Sequence, residues 1–335
     1  MSKFLITGTA GFIGFHLANA LLQRGEEIVG LDNINDYYDV NLKYARLNEA
    51  GIMRDEVEWN SPARSKKYAG YRFVRMDLTD RENLTRLFRS EKFDFVIHLA
   101  AQAGVRYSID HPDVYIQSNI VGFFNILEDC RHYPVKHLLY ASSSSVYGNN
   151  EKVPFSEDDN VDYPVSLYAA TKKSNELMAF TYSHLYKIPA TGLRFFTVYG
   201  PWGRPDMAIW KFTEAMLNNR PIQVYAEGKL LRDFTYIDDI INGVIAILNK
   251  QKSEEPPALM NIGNNNPVTV NTLVSEIEQA LGRKAIIEYL PMQPGDVEKT
   301  FADIARINAF CGFTPQTDLR AGIRMFCEWF LKYSG

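Results

Sequence analysis

The chain has 335 residues, of which 46% are hydrophobic and 23% charged, an ordinary globular composition with room for about two domains or one large domain with a second lobe. A net charge of −4 offers no basic footprint, so neither nucleic acid nor an anionic membrane surface is expected as a partner. Cys130, Cys311 and Cys327 show no metal-ligand spacing and cannot all pair, which predicts reduced thiols in a cytoplasmic protein without a metal; no signal-like segment opens the chain and no apolar run approaches the ~18 residues of a membrane span.

KFLITG (3–8) reads as the first strand, and TGTAGFIG sets Gly8, Gly11 and Gly14 between it and a helix near 12–24. Glycines there let the backbone turn tightly and approach a pyrophosphate, which the helix N-terminus meets with free N–H groups and its positive dipole end. EIVGLD (27–32) is the second strand. It ends on Asp32, whose carboxylate suits the adenosine ribose hydroxyls and repels a 2′-phosphate, so NAD is expected rather than NADP. YRFVRMDL (71–78), a helix near 81–90, FDFVIHLAA (93–101), a helix near 113–132, HLLYASS (137–143), a helix near 167–187 and ATGLRFF (190–196) continue the alternation. The pattern predicts an α/β doubly wound parallel sheet, its apolar strands buried on both faces and its ligands at their carboxyl ends. His98 reads as a hydrogen-bonded core residue, and Asp77 suits either a ligand contact or a helix cap.

YASSSSVYG (140–148) sets four serines where a buried strand ends. Such a run suits either a turn or an uncharged polar site. In SLYAATKK (166–173), Tyr168 and Lys172 share one helix face, a turn apart. A free tyrosine has a pKa of about 10, and a nearby ammonium or an oxidised nicotinamide lowers it. Tyr168 could then take a proton from a substrate hydroxyl while hydride leaves for NAD. After Gly200 the pattern changes: PWGRPDM is a loop, the helices are broken by short strands, and QKSEEPPA (251–258) reads as a linker. The expected division is an NAD-binding domain over 1–196 and a smaller α/β substrate lobe over 197–335. The segment about 236–262 returns to the first, because LMNIG reads as one more buried strand.

The G-x-x-G-x-x-G spacing and the order serine, Tyr168, Lys172 resemble the short-chain dehydrogenase/reductase superfamily. That resemblance implies catalytic roles for Tyr168, Lys172 and Ser143. It implies cofactor contacts at Gly8, Gly11, Phe12, Ile13 and Gly14, at Asp32 and Asn33, and at Asp77 and Leu78. Further contacts are implied at Leu99, Ala100, Ala101 and Gln102, at Asn119, at Ser142, Tyr168 and Lys172, and at Phe195 and Phe196. The chain length and second lobe resemble the extended, nucleotide-sugar-modifying branch. There Arg232, in RDFTYIDD, matches an arginine that holds the nucleotide diphosphate. Val224 and Tyr225, in PIQVY, match a strand that contacts uracil, and Asp296, in QPGDVEKTFADI, matches a ribose ligand. Many relatives carry arginine where this chain has Gln293. Arg106, in HLAAQAGVR, joins the implied substrate set.

Over nearly its full length, through DNINDYYDVNLKYARL, VIHLAAQAGVRYSI and FFTVYGPWGRPDMA, the chain resembles the UDP-glucuronate 4-epimerase family. This implies an isomerase that uses NAD to interconvert UDP-glucuronate and UDP-galacturonate through a 4-keto sugar. The branch's dehydratases carry Asp-Glu just before V-Y-G, and its uronate decarboxylases carry glutamate at the second of those positions; this chain has Ser144 and Ser145. Hydroxyls donate hydrogen bonds to a sugar acid that a carboxylate would repel. Thr197 stands where UDP-galactose epimerases carry asparagine, and Arg204 lies nearby in sequence. Ser143, Ser144, Ser145, Thr197 and Arg204 are therefore expected to hold the uronate carboxylate. Epimerisation of another UDP-hexose or N-acetylhexosamine, decarboxylation of UDP-glucuronate, and a non-catalytic NAD-binding module remain open. The resemblance also implies a homodimer, formed through part of the apolar set Ile116, Ile120, Phe123, Phe124, Leu127, Leu177, Phe180 and Leu185, and a place in polysaccharide biosynthesis.

Overall fold

The structure, a computed structural model, describes residues 1–251, 258–292 and 297–334. Gln293, Asp296 and most of the expected linker lie outside the described residues.

The strands are β1 (Lys3–Thr7), β2 (Glu27–Asp32), β3 (Pro62–Arg64), β4 (Tyr71–Arg75), β5 (Phe95–His98), β6 (His137–Ser143), β7 (Ala190–Phe195), β8 (Thr197–Tyr199), β9 (Ile222–Tyr225), β10 (Leu231–Arg232), β11 (Phe234–Tyr236), β12 (Leu259–Ile262), β13 (Val268–Thr269) and β14 (Ile287–Leu290). The helices are α1 (Phe12–Gln23), α2 (Val40–Glu49), α3 (Arg81–Glu91), α4 (Tyr107–Asp110), α5 (Pro112–Tyr115), α6 (Gly122–His132), α7 (Leu167–Tyr186), α8 (Ala208–Leu217), α9 (Ile237–Lys250), α10 (Val270–Leu281), α11 (Ala305–Cys311) and α12 (Leu319–Ser334).

Eight strands form one sheet in the order β12-β7-β6-β5-β1-β2-β4-β3. Strands β6, β5, β1, β2 and β4 run parallel, and the short β3 pairs antiparallel with β4 at the edge. The order reverses at β1, which lies between β2 and β5, so the crevice beyond its carboxyl end is the switch point where such sheets bind ligands. Leu5, Val29, Val74, Val96 and Leu138 of the strands pack with Leu84, Phe88, Phe123, Ile126 and Leu127 of α3 and α6. Each such side chain contributes about 1.5–3 kcal/mol by leaving water.

The chain forms two compact units. One compact unit comprises Met1–Val146, Val161–Arg194 and a short return ending at Met260; the other comprises Tyr147–Asn160, the stretch from Phe195 through α9, and Asn261 onward. LMNIG does supply a strand of the main sheet, β12 beside β7, but helix α9 before it belongs to the second unit. Residues 147–160 join that unit through Phe155, whose N–H donates to Phe301 and whose carbonyl accepts from Asp303.

The helix expected over 113–132 is interrupted. Residues Ile116–Val121 form a π turn between α5 and α6. A π turn lets one residue bulge from the i→i−4 ladder, often beside a functional site. Asn119 is the buried residue within it.

Candidate active site

The glycine turn has the geometry of a phosphate cradle. Gly8 has φ +81°, and a Cβ there would lie 2.9 Å from the Ala100 nitrogen. A Cβ on Gly14 would lie 2.1 Å from the Gly8 carbonyl oxygen, so only glycine lets α1 start this close to β1. Helix α1 is capped by Gly11 with no side-chain bond to its first N–H groups, which leaves those donors for an anion. Phe12 is buried and Ile13 half-buried in that first turn.

Asp32 ends β2 and is 7% exposed. Its carboxylate accepts from the N–H of Ile34 at 2.8 Å and of Ala10 at 3.2 Å, which fixes its aim and leaves lone pairs for a diol. Asp77 accepts from Asn33 Nδ2 at 2.9 Å and from the Thr79 hydroxyl at 2.7 Å. Burial works to raise its pKa, but these bonds outweigh burial and hold the carboxyl below the usual range. Asp77 is not the cap of α3; Asp80 is. Leu78 is buried behind it.

The segment after β5 is pinned at both ends. The Thr7 hydroxyl accepts from the Leu99 and Ala100 N–H groups, both at 3.1 Å. Asn119 accepts from the Gln102 N–H at 2.8 Å and donates to its carbonyl at 3.1 Å and to Thr171 Oγ1 at 3.0 Å. The π turn thus braces the loop carrying Ala101 and Gln102 against α7. His98 is a core residue: it bonds Thr7 Oγ1 at 3.0 Å, and burial and then the charge on Lys172 depress its pKa to about 3.

Ser166 caps α7 by accepting from the Ala169 N–H at 3.1 Å. Tyr168 therefore sits in the first helical turn, where the positive dipole end favours a phenolate. It is half-buried, its ring edge-on to Tyr115 with centroids 6.0 Å apart. Lys172, one turn on, is buried and donates from Nζ to the Ala141 carbonyl at 2.8 Å. Burial lowers its pKa to about 8, against a pull upward from Glu176.

The serine run is both strand end and turn. β6 ends at Ser143, and Ser144–Tyr147 form one 3-10 turn. The Ser143 hydroxyl donates to Ser145 Oγ at 3.1 Å and accepts from the Ser145 N–H at 3.2 Å. Ser144 and Ser145 are half-buried. The Ser142 hydroxyl donates to Glu176 Oε1 at 2.6 Å, and its backbone faces no such demand.

In the second unit, Phe196 is buried 6.3 Å from the Tyr147 ring, and Phe195 is also buried. Thr197 is half-buried and donates its N–H to the Asp233 carbonyl at 3.2 Å. The Arg204 guanidinium is engaged by Asp206 through Nε at 2.9 Å and Nη2 at 2.5 Å, so a sugar carboxylate there must share or displace Asp206. Arg232 donates to the carbonyls of Leu231 and Glu298. Val224 is buried and Tyr225 half-buried on β9, whereas Arg106, in the first unit, is exposed.

Glu176 and Arg194 were missed at the sequence level. They form a buried two-bond pair, Nε to Oε1 and Nη2 to Oε2, both 2.8 Å. A lone arginine inside the apolar strand ATGLRFF and a glutamate one turn after Lys172 were the available signals. No cluster of potential metal ligands occurs among the described residues, and no helix there is long and apolar enough to cross a membrane.

Residues 4–263 match the profile of the NAD dependent epimerase/dehydratase family. The chain is 48% identical to Protein CapI of Staphylococcus aureus, covering 99% of each. It is 46% identical to a probable UDP-glucuronate 4-epimerase of Rhizobium meliloti, over 98% of this chain and 96% of the other. Among solved structures it is similar to UDP-glucuronic acid 4-epimerase from Bacillus cereus in complex with UDP-glucuronic acid and NAD, with TM-score 0.88, 32% identity and 99% coverage of both chains.

Proposed function

The chain belongs to the NAD-dependent epimerase/dehydratase family, and from that premise we propose that it catalyses reversible 4-epimerisation of UDP-glucuronate to UDP-galacturonate. The observation that carries this is the charge-free serine turn, Ser143–Ser145, in a chain that keeps both Tyr168 and Lys172 on α7.

Gly8, Gly11, Phe12, Ile13 and Gly14 would hold the pyrophosphate of NAD, Asp32 and Asn33 the adenosine ribose, and Asp77 and Leu78 the adenine. The fit is carried by the uncapped start of α1 and the space that only glycine leaves. Leu99 to Gln102, the bracing Asn119, Phe195 and Phe196 complete the set, with Tyr168 and Lys172 toward the nicotinamide ribose. Held there, NAD would supply reversible hydride acceptance at carbon 4 of the sugar, with no net NADH formed. Tyr168, as phenolate, accepts the 4-hydroxyl proton and later returns it, stabilised by Lys172 and the α7 dipole. The Ser143 hydroxyl, turned from Ser145 Oγ, donates a hydrogen bond to the reacting oxygen. Between the two transfers the 4-keto sugar turns to present its opposite face.

The 4-keto acid is a β-keto acid and prone to lose carbon dioxide. Ser143, Ser144, Ser145, Thr197 and Arg204 hold its carboxylate out of line with the carbonyl π system and stabilise its charge, which suppresses that loss. Arg232, Val224, Tyr225 and Asp296 serve the UDP moiety, with Arg106 joining the substrate contacts. We further assign a homodimer: Leu177, Phe180 and Leu185 of α7 are 56%, 66% and 59% exposed, whereas Phe123 and Leu127 are core, and such an apolar face wants a partner. A cytoplasmic location suits the three free cysteines, and the product suits polysaccharide biosynthesis.

The test is NMR analysis of products from UDP-glucuronate with and without added NAD. UDP-galacturonate without net NADH is expected. A pentose product would instead mark a decarboxylase, and turnover confined to neutral UDP-hexoses would overturn the uronate assignment.

A further inference from the structure

Two consecutive residues at the end of β6 are gripped by two residues one turn apart on α7. Lys172 Nζ donates to the Ala141 carbonyl at 2.8 Å, and the Ser142 hydroxyl donates to Glu176 Oε1 at 2.6 Å. The same Glu176 is held in two bonds by Arg194 of the adjacent strand β7. The side chains of Glu176 and Arg194 are 3% and 2% exposed. Burying two charges costs solvation that their attraction barely returns, and a well-packed apolar pair in their place is often as stable or more so. Stability alone therefore gives little reason for this pair. What it does supply is direction: a planar guanidinium fork fixes the carboxylate, and the carboxylate fixes one strand hydroxyl.

We propose that Ser142, Glu176 and Arg194 form a positioning clip that sets the register of the Tyr168 helix against the strand end carrying Ser143. None of the three touches the reacting atoms. They act through their neighbours: Ser142 precedes Ser143, and Glu176 lies one and two turns beyond Lys172 and Tyr168 on the same helix face. The clip also keeps a negative charge near Lys172. The charged and titratable groups that act on it are Glu176 on its own helix and His98 of β5, with Tyr168 one turn before it on that helix; Tyr140 of β6 and Arg194 of β7 face Glu176. The inference rests on the Tyr168 chemistry assigned above.

The test compares wild type, the double variant Glu176→Leu with Arg194→Met, and Ser142→Ala, all as NAD-loaded full-length protein acting on UDP-glucuronate. The double variant is expected to melt no earlier than wild type, and to keep its KM while kcat falls about tenfold or more through misplacement of Tyr168. Its alkaline activity limb moves to lower pH, because Lys172 loses the carboxylate that supports its charge. Ser142→Ala lowers kcat but leaves the limb in place, because Glu176 stays. Should the double variant not fold, Ser142→Ala decides alone. Wild-type kcat in Ser142→Ala, or wild-type kcat and limb in a folded double variant, overturns the clip while leaving the epimerase assignment intact. Wild-type protein that does not turn over UDP-glucuronate overturns both.

Discussion

Lys172 Nζ donates to the carbonyl oxygen of Ala141 at 2.8 Å, so the cation proposed to support Tyr168 is fixed to the strand that carries Ser143. Burial disfavours its charged form and brings its pKa down to about 8. Below that pH the ammonium is present and, in the proposed mechanism, would stabilise negative charge on the Tyr168 oxygen; above it that support would be lost. The kcat/KM profile for UDP-glucuronate is expected to fall as pH rises through about 8. A flat profile up to pH 10 would contradict this role. The linkage to stability has a definite sign. An unfolded lysine holds its proton to higher pH than Lys172 does, so the strain of burying the ammonium is relieved, and this site's contribution rises, between about pH 8 and the ordinary lysine pKa.

Replacing Tyr168, a half-buried residue, with phenylalanine removes one hydroxyl and keeps the ring against Tyr115. The fold and bound NAD should survive while kcat drops about 10²–10⁴-fold. Initial rates paired with the NAD content of the purified protein check both halves; a variant that retains full activity would remove Tyr168 from the chemistry.

Ser144→Ala with Ser145→Ala takes two donors from a turn whose backbone is set by Ser143 and Ser145. The expected outcome is weaker binding of UDP-glucuronate, by about 1–3 kcal/mol for hydrogen bonds to a charged group, and a larger share of pentose in the product. Neutral UDP-sugars should bind as before. Unchanged affinity and unchanged pentose would show that the two serines only make a turn.

A methyl at Gly14 would meet the Gly8 carbonyl oxygen at 2.1 Å. Gly14→Ala must push α1 away from β1 at a cost of about 1–3 kcal/mol, and the phosphate cradle opens with it. A lower melting temperature together with loss of co-purified NAD is expected. Calorimetry and the absorbance of released nucleotide give both readouts.

Much of the first unit was legible from residue order. β2 and β6 begin and end where the apolar runs do, because Asp32 and the serines stop a buried strand sharply. The π turn was not legible, since its helical spacing continues that of α5 and α6. Asn119 within it finds its partners, Gln102 and Thr171, far away in the chain. The Ser142–Glu176 bond was hidden for a similar reason: residue type advertises a donor, but not which acceptor the fold brings to it. Residues 147–160 fall within the expected first domain. They join the second unit through pairings with Phe301 and Asp303, contacts that no local pattern announces.

The most direct test of the account is to supply UDP-glucuronate deuterated at carbon 4 and to follow the label in the product. Hydride that leaves carbon 4 and returns to the same atom must bring the deuterium back, so UDP-galacturonate is expected with its label retained at carbon 4 and a slowed rate. UDP-galacturonate that has exchanged its label with solvent, or a product that never passed through oxidation at carbon 4, would contradict it.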